Sequence, residues 1–199
     1  MFEELGGMDI YLIDQFMKGN IRRDMRVLDA GAGGGRNIVW MLRHGFDVCA
    51  CEANGDRAEH LKTLFAVNAP DLPSTNVRAE AIEDLSFQSG SFDVVIANAV
   101  LHFAQDDDHW DAMVDRLWAM LAPNGMLFTR LATNIGIEDY VRRELHGWYY
   151  LPDGSRRYLV DQKRLETKRI LLGGELMEPI KSTNVQNLRT MTTWVLRKR

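Results

Sequence analysis

Residues 27–37, Val-Leu-Asp-Ala-Gly-Ala-Gly-Gly-Gly-Arg-Asn, are the densest concentration of potential chemistry in the chain. Glycines at 31, 33 and 35 let a backbone turn tightly and approach a ligand with no side chain in the way. A dinucleotide fingerprint needs glycine at the first, third and sixth positions, and the sixth here is Arg36. Asp29 stands just ahead of the loop, where a carboxylate suits a ligand carrying positive charge and would repel a pyrophosphate. His102, within Asn98-Ala99-Val100-Leu101-His102-Phe103, titrates near neutral pH; it is a candidate base or acceptor-positioning group, or else a hydrogen-bonded loop residue. Asp106-Asp107-Asp108-His109 has the residue types of a metal site, but acids just before a helix also serve as caps and suit its dipole, which is the preferred reading. Cys49 and Cys51 lie two apart on a predicted strand. They share a face, make poor disulfide partners and read as buried packing.

These residues need elements to hold them. Apolar spacing predicts a helix over 9–19, a buried strand over 25–30, a helix after Gly35 that ends at Gly45, and a strand over 46–51. The alternation continues with a helix over 57–68, short and longer strands over 76–79 and 92–97, a helix over 108–121 closed by Pro123-Asn124-Gly125, and a strand over 126–131. Parallel neighbours need a crossover, so this order implies a doubly wound α/β fold with helices on both faces of a mostly parallel sheet. The glycine loop then sits at a topological switch point, where such sheets bind ligands. The end of the chain departs from the pattern: 174–182 and 188–197 predict an antiparallel hairpin, with Pro179 placing the first run on an edge or at a bulge. Around the turn signal Pro152-Asp153-Gly154, residues 146–161 predict an inserted β-hairpin.

The chain has 199 residues, 46% hydrophobic and 26% charged, which fits one folded domain over 1–199 and excludes a disordered or fibrous chain. Within it, residues 1–23 form a helical cover and 146–161 the insert. A net charge of −4 argues against a general affinity for nucleic acid, which needs a basic surface. No apolar run approaches the ~18–20 residues that cross a bilayer, and Met1-Phe2-Glu3-Glu4 lacks the basic region of a secretory signal, so a cytoplasmic location is expected, with no membrane partner.

With these motifs in order, the chain resembles the class I S-adenosylmethionine-dependent methyltransferases, of the small-molecule type 11/25, over roughly residues 24–199. The resemblance implies a seven-stranded, Rossmann-like sheet with a terminal antiparallel hairpin. It also implies S-adenosylmethionine as cofactor: Gly31, Gly33 and Gly35 wrap the methionine part, with Asp29 near its amino group. Glu52, closing Cys49-Ala50-Cys51-Glu52, matches the acid on the ribose hydroxyls, and Glu80 matches the acid against the adenine, with Ala81 beside it and Glu83 and Asp84 as near competitors. Asn98, the remnant of an Asn-Pro-Pro-Tyr type sequence whose prolines are here Ala99 and Val100, completes the cofactor set. Loss of those prolines takes support from nucleic-acid substrates. Ser91-Phe92-Asp93-Val94-Val95 and Leu121-Ala122-Pro123-Asn124-Gly125 are also family phrases, and Arg130-Leu131-Ala132-Thr133-Asn134 stands where metal-dependent relatives carry acids, pointing away from a metal.

Methyl transfer by in-line displacement depends mainly on positioning, so no particular side chain is compulsory. The expected acceptor is a small molecule, held by Arg130, Tyr149, Tyr150, Arg156 and Arg157, with His102 as candidate catalytic residue and the insert and the first helix covering the cleft; the competing reading is that the tyrosines pack the hairpin and the arginines are solvated. The expected assembly is a monomer or homodimer. Two alternatives stand beside this reading: a nicotinamide-dependent oxidoreductase, and a non-catalytic cofactor-binding sensor or partner subunit.

Overall fold

Runs of apolar and β-branched residues make the central strands, and the loops between them carry the glycines and acids. The structure is a computed structural model that describes Leu5 and residues 7–199. Met1-Phe2-Glu3-Glu4, on which the leader reading rests, and part of the 1–23 cover lie outside the described residues. In chain order come α1 (Ile10–Met17), β1 (Arg26–Ala30), α2 (Val39–Arg43), β2 (Asp47–Cys51), α3 (Gly55–Asn68), β3 (Val77–Arg78), β4 (Phe92–Asn98), α4 (Asp107–Met120) and β5 (Leu121–Thr133). The insert follows as β6 (Arg142–Arg143), β7 (Trp148–Tyr150) and β8 (Arg156–Tyr158), then α5 (Gln162–Leu172), β9 (Glu175–Leu176), β10 (Lys181–Val185) and β11 (Arg189–Arg197).

The main sheet runs β10-β11-β5-β4-β1-β2-β3, with β9 pairing the end of β11. Strands β1 to β5 are mutually parallel, whereas β11 is antiparallel to both β5 and β10; this is the expected terminal hairpin, with its first arm at Lys181–Val185 and only Glu175–Leu176 of the rest of the expected 174–182 arm forming a strand. Pro179 lies between β9 and β10, so the missing donor falls in a break of the ladder. The strand pleat sorts the core into two layers. Val27, Val48, Val94, Ile96 and Phe128 face α1, α2 and α3, while Leu28, Cys49, Cys51, Val95 and Leu127 face α4 and α5. Both thiols are free and buried on that second face.

Three details correct the expectations from sequence. Pro123-Asn124-Gly125 does not close the helix: α4 already ends at Met120, and the tripeptide lies inside β5, where Asn124 takes a φ of 65° and the register with β4 shifts between Phe92 and Val94. The insert is a three-stranded antiparallel sheet, because the pair Arg142–Arg143 adds a strand to the predicted hairpin. Between it and the terminal hairpin stands α5, capped by Asp161 through Arg164 N at 2.7 Å and closed by Gly173 at φ 65°.

Candidate active site

The carboxyl ends of β1, β2 and β4 open onto a cavity of about 500 Å³, a size that suits a small ligand. Its floor is the glycine loop. Gly31 N and Ala32 N donate to the Cys51 carbonyl at 3.0 and 2.9 Å, which pins the loop to the end of β2. Gly31 is left-handed at φ 71°, and a Cβ there would lie 2.6 Å from Val100 Cγ2. Gly33 and Gly34 line the cavity with open space where a side chain would stand. Gly35 differs: it does not line the cavity, and a Cβ on it would meet Leu64 Cδ2 at 2.5 Å and Leu61 Cδ2 at 3.0 Å. Its missing Cβ lets α3 pack close against the loop.

Glu52 stands at the end of β2, directly against the loop. Its Oε2 accepts Gly33 N and its Oε1 accepts Asn54 N, each at 3.0 Å. An ionised carboxylate has about four acceptor sites, so lone pairs remain for a ligand's hydroxyls. At the end of β4, Asn98 Oδ1 accepts Arg36 Nη2 at 3.4 Å, and its buried Nδ2 has no partner among the described residues. Beside it Ala99 is held left-handed at φ 60°, with its N–H donated to the Arg130 carbonyl at 2.7 Å. Such strain in a non-glycine residue clusters at ligand sites.

Asp29 lies under the loop, 1% exposed, and its Oδ2 has no partner among the described residues. Burial pushes its carboxyl up to about 7, with Arg36 opposing and Glu52 adding to the rise. Glu80 lines the cavity, but its oxygens are engaged by Ser86 N at 2.9 Å and by the Ser86 hydroxyl, so it also closes its own loop. Ala81 lines the cavity next to it. Glu83, which the sequence left as a competitor, lines it too and pairs through Oε1 with His109 Nε2 at 3.0 Å. Asp106 is the helix cap, accepting His109 N at 2.8 Å.

The profile of the methyltransferase domain matches residues 27–125. The ubiquinone biosynthesis O-methyltransferase of Chelativorans sp. (strain BNC1) is 29% identical over 142 residues, covering 67% of this chain and 51% of that protein. The tRNA 5-carboxymethoxyuridine methyltransferase of Escherichia coli (strain K12) is 25% identical over 103 residues, covering 52% and 38%. Among solved structures, the 1,6-didemethyltoxoflavin-N1-methyltransferase of Burkholderia thailandensis, bound to 1,6-didemethyltoxoflavin and S-adenosylhomocysteine, superposes with a TM-score of 0.72 at 19% identity, covering 96% of this chain and 78% of that one. The chain belongs to the class I S-adenosylmethionine-dependent methyltransferase family. It spans about half the length of the curated relatives it matches. The nicotinamide alternative is not favoured by these matches.

For a family member, the cradle fits an adenosyl-methionine group on three counts: bare backbone at Gly33 and Gly34, spare carboxylate lone pairs on Glu52, and a buried amide donor on Asn98. Arg36, Asn37 and His109 also line the cavity; sequence reasoning used Arg36 only to reject a fingerprint and gave His109 to the cap region. Their signal was position: two follow the last glycine directly, and the third sits one turn into α4.

The expected acceptor residues do not form one group. Arg130, on β5 beside Asn98, reaches back through Nη1 to Asp9 Oδ2 at 2.6 Å and lies over the Tyr11 ring, tying α1 to the sheet. Asp9 N in turn donates to Asn37 Oδ1 at 3.1 Å, so the first helix borders the cleft. Tyr149 is buried against Ala132, Leu151 and Leu159. Arg156 binds Glu144 Oε2 at 2.6 Å and covers the Trp148 ring. Arg157 lies over Phe103, which lines the cavity. His102 is buried outside the cavity lining, and its Nδ1 accepts Ala132 N at 3.3 Å. Burial, with Arg157 nearby, holds its pKa down at about 4.

Proposed function

We propose that this chain binds S-adenosylmethionine and transfers its methyl group to a small-molecule acceptor. The observation that carries the proposal is the cleft in which bare loop backbone, the Glu52 carboxylate and the unpartnered Asn98 amide face one another. Gly33 and Gly34 leave room for the methionine part, Glu52 accepts the ribose hydroxyls, and Asn98 Nδ2 with Arg36 donates to an acidic group of the cofactor. When bound, the cofactor supplies an electrophilic methyl on a cationic sulfur. The chain's part is orientation, which can supply about 7–11 kcal/mol of the barrier, and exclusion of water by α1 and the segment around Phe103.

His102 enters this scheme as a positioning group. Because Nδ1 accepts an N–H, the proton of the neutral ring sits on Nε2, which leaves a donor and no free lone pair to act as a base. Tyr149 and Arg156 enter only through the insert that frames the cleft, and Arg130 through its hold on α1. Two buried free thiols are compatible with a reducing, cytoplasmic setting. Among the described residues no helix is long and apolar enough to cross a membrane.

Isothermal calorimetry with S-adenosylhomocysteine tests the cofactor half: saturable micromolar binding is expected, and no heat at high micromolar ligand sinks it. Glu52→Ala is expected to weaken that binding at least about tenfold, about 1.4 kcal/mol; unchanged affinity removes Glu52 from the ribose role. A screen of phenols, amines and thiols for methylated product tests the acceptor half.

A further inference from the structure

The inserted sheet carries charge of the opposite sign to the chain, whose net charge is −4. A second cavity, about 570 Å³, is lined by Arg142, Arg143, Glu144, His146, Trp148 and Arg156. Arg142 and Arg156 share one face of the inserted sheet with Tyr150 and Trp148 and face one carboxylate, which Arg156 already engages, whereas Arg143 alternates to the other face beside Tyr149 and borders the recess from behind. Neither Arg142 nor Arg143 pairs with an acid among the described residues. Both guanidinium planes of the shared face are fixed by aromatic rings: Arg142 lies 4.6 Å from the Tyr150 centroid and Arg156 4.7 Å from that of Trp148. Stacked in this way, a guanidinium spends its faces on the ring and keeps its donor edge for an anion. The loop that closes the recess is itself strained, with His146 left-handed at φ 60° ahead of Gly147 at φ 79°.

This recess is linked to the cofactor cleft through Gln105, which lines the recess. Trp148 Nε1 donates to the Gln105 carbonyl at 2.6 Å, and Gln105 N donates to His109 Nδ1 at 3.1 Å; His109 lines the cleft. We propose that the arginine recess on the inserted sheet binds the anionic group, a carboxylate or a phosphate, of a small acceptor whose other end enters the cofactor cleft. This rests on the methyl-transfer reading above. An isolated positive recess on an acidic chain focuses its field on an anionic ligand and steers it in. Arginine edges take both oxygens of a carboxylate or phosphate at once, and a recess of this volume suits a small molecule. A nucleic-acid strand would instead need a track of contacts, about 6–10 phosphates long in strong binders, and one recess bounded by Glu144 does not provide it.

The test is calorimetry on the full chain with phenyl phosphate and with benzoate, phenol serving as the uncharged control, in the presence of S-adenosylhomocysteine. One of the two anions is expected to bind, at least about tenfold tighter than phenol, consistent with a charge-assisted bond; which one distinguishes phosphate from carboxylate. Arg142 and Arg143 are exposed, so the double variant Arg142→Ala/Arg143→Ala keeps the fold. It is expected to lose that binding at least about tenfold while S-adenosylhomocysteine affinity is unchanged. Failure of both anions to bind the native chain, or equal anion affinity in the double variant, overturns the proposal. So does a short single-stranded RNA that binds the native chain more tightly than either anion. Loss of S-adenosylhomocysteine binding in the native chain would strike the cofactor reading alone, since the anion titrations decide the recess separately.

Discussion

Asp29 and His102 are both buried, outside the cavity lining, with proton affinities displaced in opposite directions. The Asp29 carboxyl, pushed up to about 7 from 3.8, holds its proton more tightly folded than unfolded, so its contribution to stability is full below pH ~4 and is lost as pH rises through 7. The His102 ring, held down at about 4 from 6.5, has the reverse sign: its contribution is full above pH ~6.5 and is lost as pH falls through 4. Between those limits the two slopes, each about 1.4 kcal/mol per pH unit at most, cancel, and only the Asp29 decline remains between 6.5 and 7. Asp29→Asn is therefore expected to turn a shallow profile into one that climbs from pH 4 to 6.5 and then levels, read as urea midpoints. A variant with the same pH dependence as the native chain would show that Asp29 does not titrate in this range.

At the scale of elements, the three alternating glycines of the loop divide between two tasks. Gly31 and Gly33 shape the cleft, whereas Gly35 lets Leu61 and Leu64 of α3 come against the loop backbone. Gly35→Ala is expected to lower stability by about 1–3 kcal/mol, from a left-handed φ of 77° and an overpacked contact. Gly34→Ala has open space, and is expected to leave thermal unfolding within about 0.5 kcal/mol of native while weakening S-adenosylhomocysteine binding, because its methyl enters the cavity. Equal unfolding midpoints for the two variants would undo the division. The same example shows where sequence legibility ends. A glycine pattern marks a tight turn but not whether a ligand or a leucine lies across it. Strands β1, β2 and β4 were legible because at least four consecutive residues in each are buried; α5 was not, since only Leu165 and Lys168 are buried along it while Ile170 and Leu171 face outward, leaving no apolar stripe. β6 is two exposed arginines, and two residues carry no period. The loop residues that line the cavity were legible as a group because they lie on strand ends in fixed order, whereas the partners of Arg130 and Tyr149 were not, because residue type does not say that one side chain meets Asp9 and the other Leu159.

Across the whole molecule, β2 is flanked by β1 and β3 and carries both cysteines, with Cys51 pushed up to about 12 by burial. Thiol labelling by an aromatic disulfide reagent is expected to wait for global unfolding and to speed up with denaturant along the global slope; fast labelling in buffer would show that β2 opens on its own. The hydrogen-bond link between the two recesses has a different kind of consequence. The Trp148 indole sits in the arginine recess, yet its N–H is held by Gln105, whose own N–H is held by a histidine in the cofactor cleft. An indole's emission responds to its hydrogen bond and to nearby charge, so this side chain is placed to register filling of either recess as a change in light, a native optical gauge for the order in which two ligands arrive.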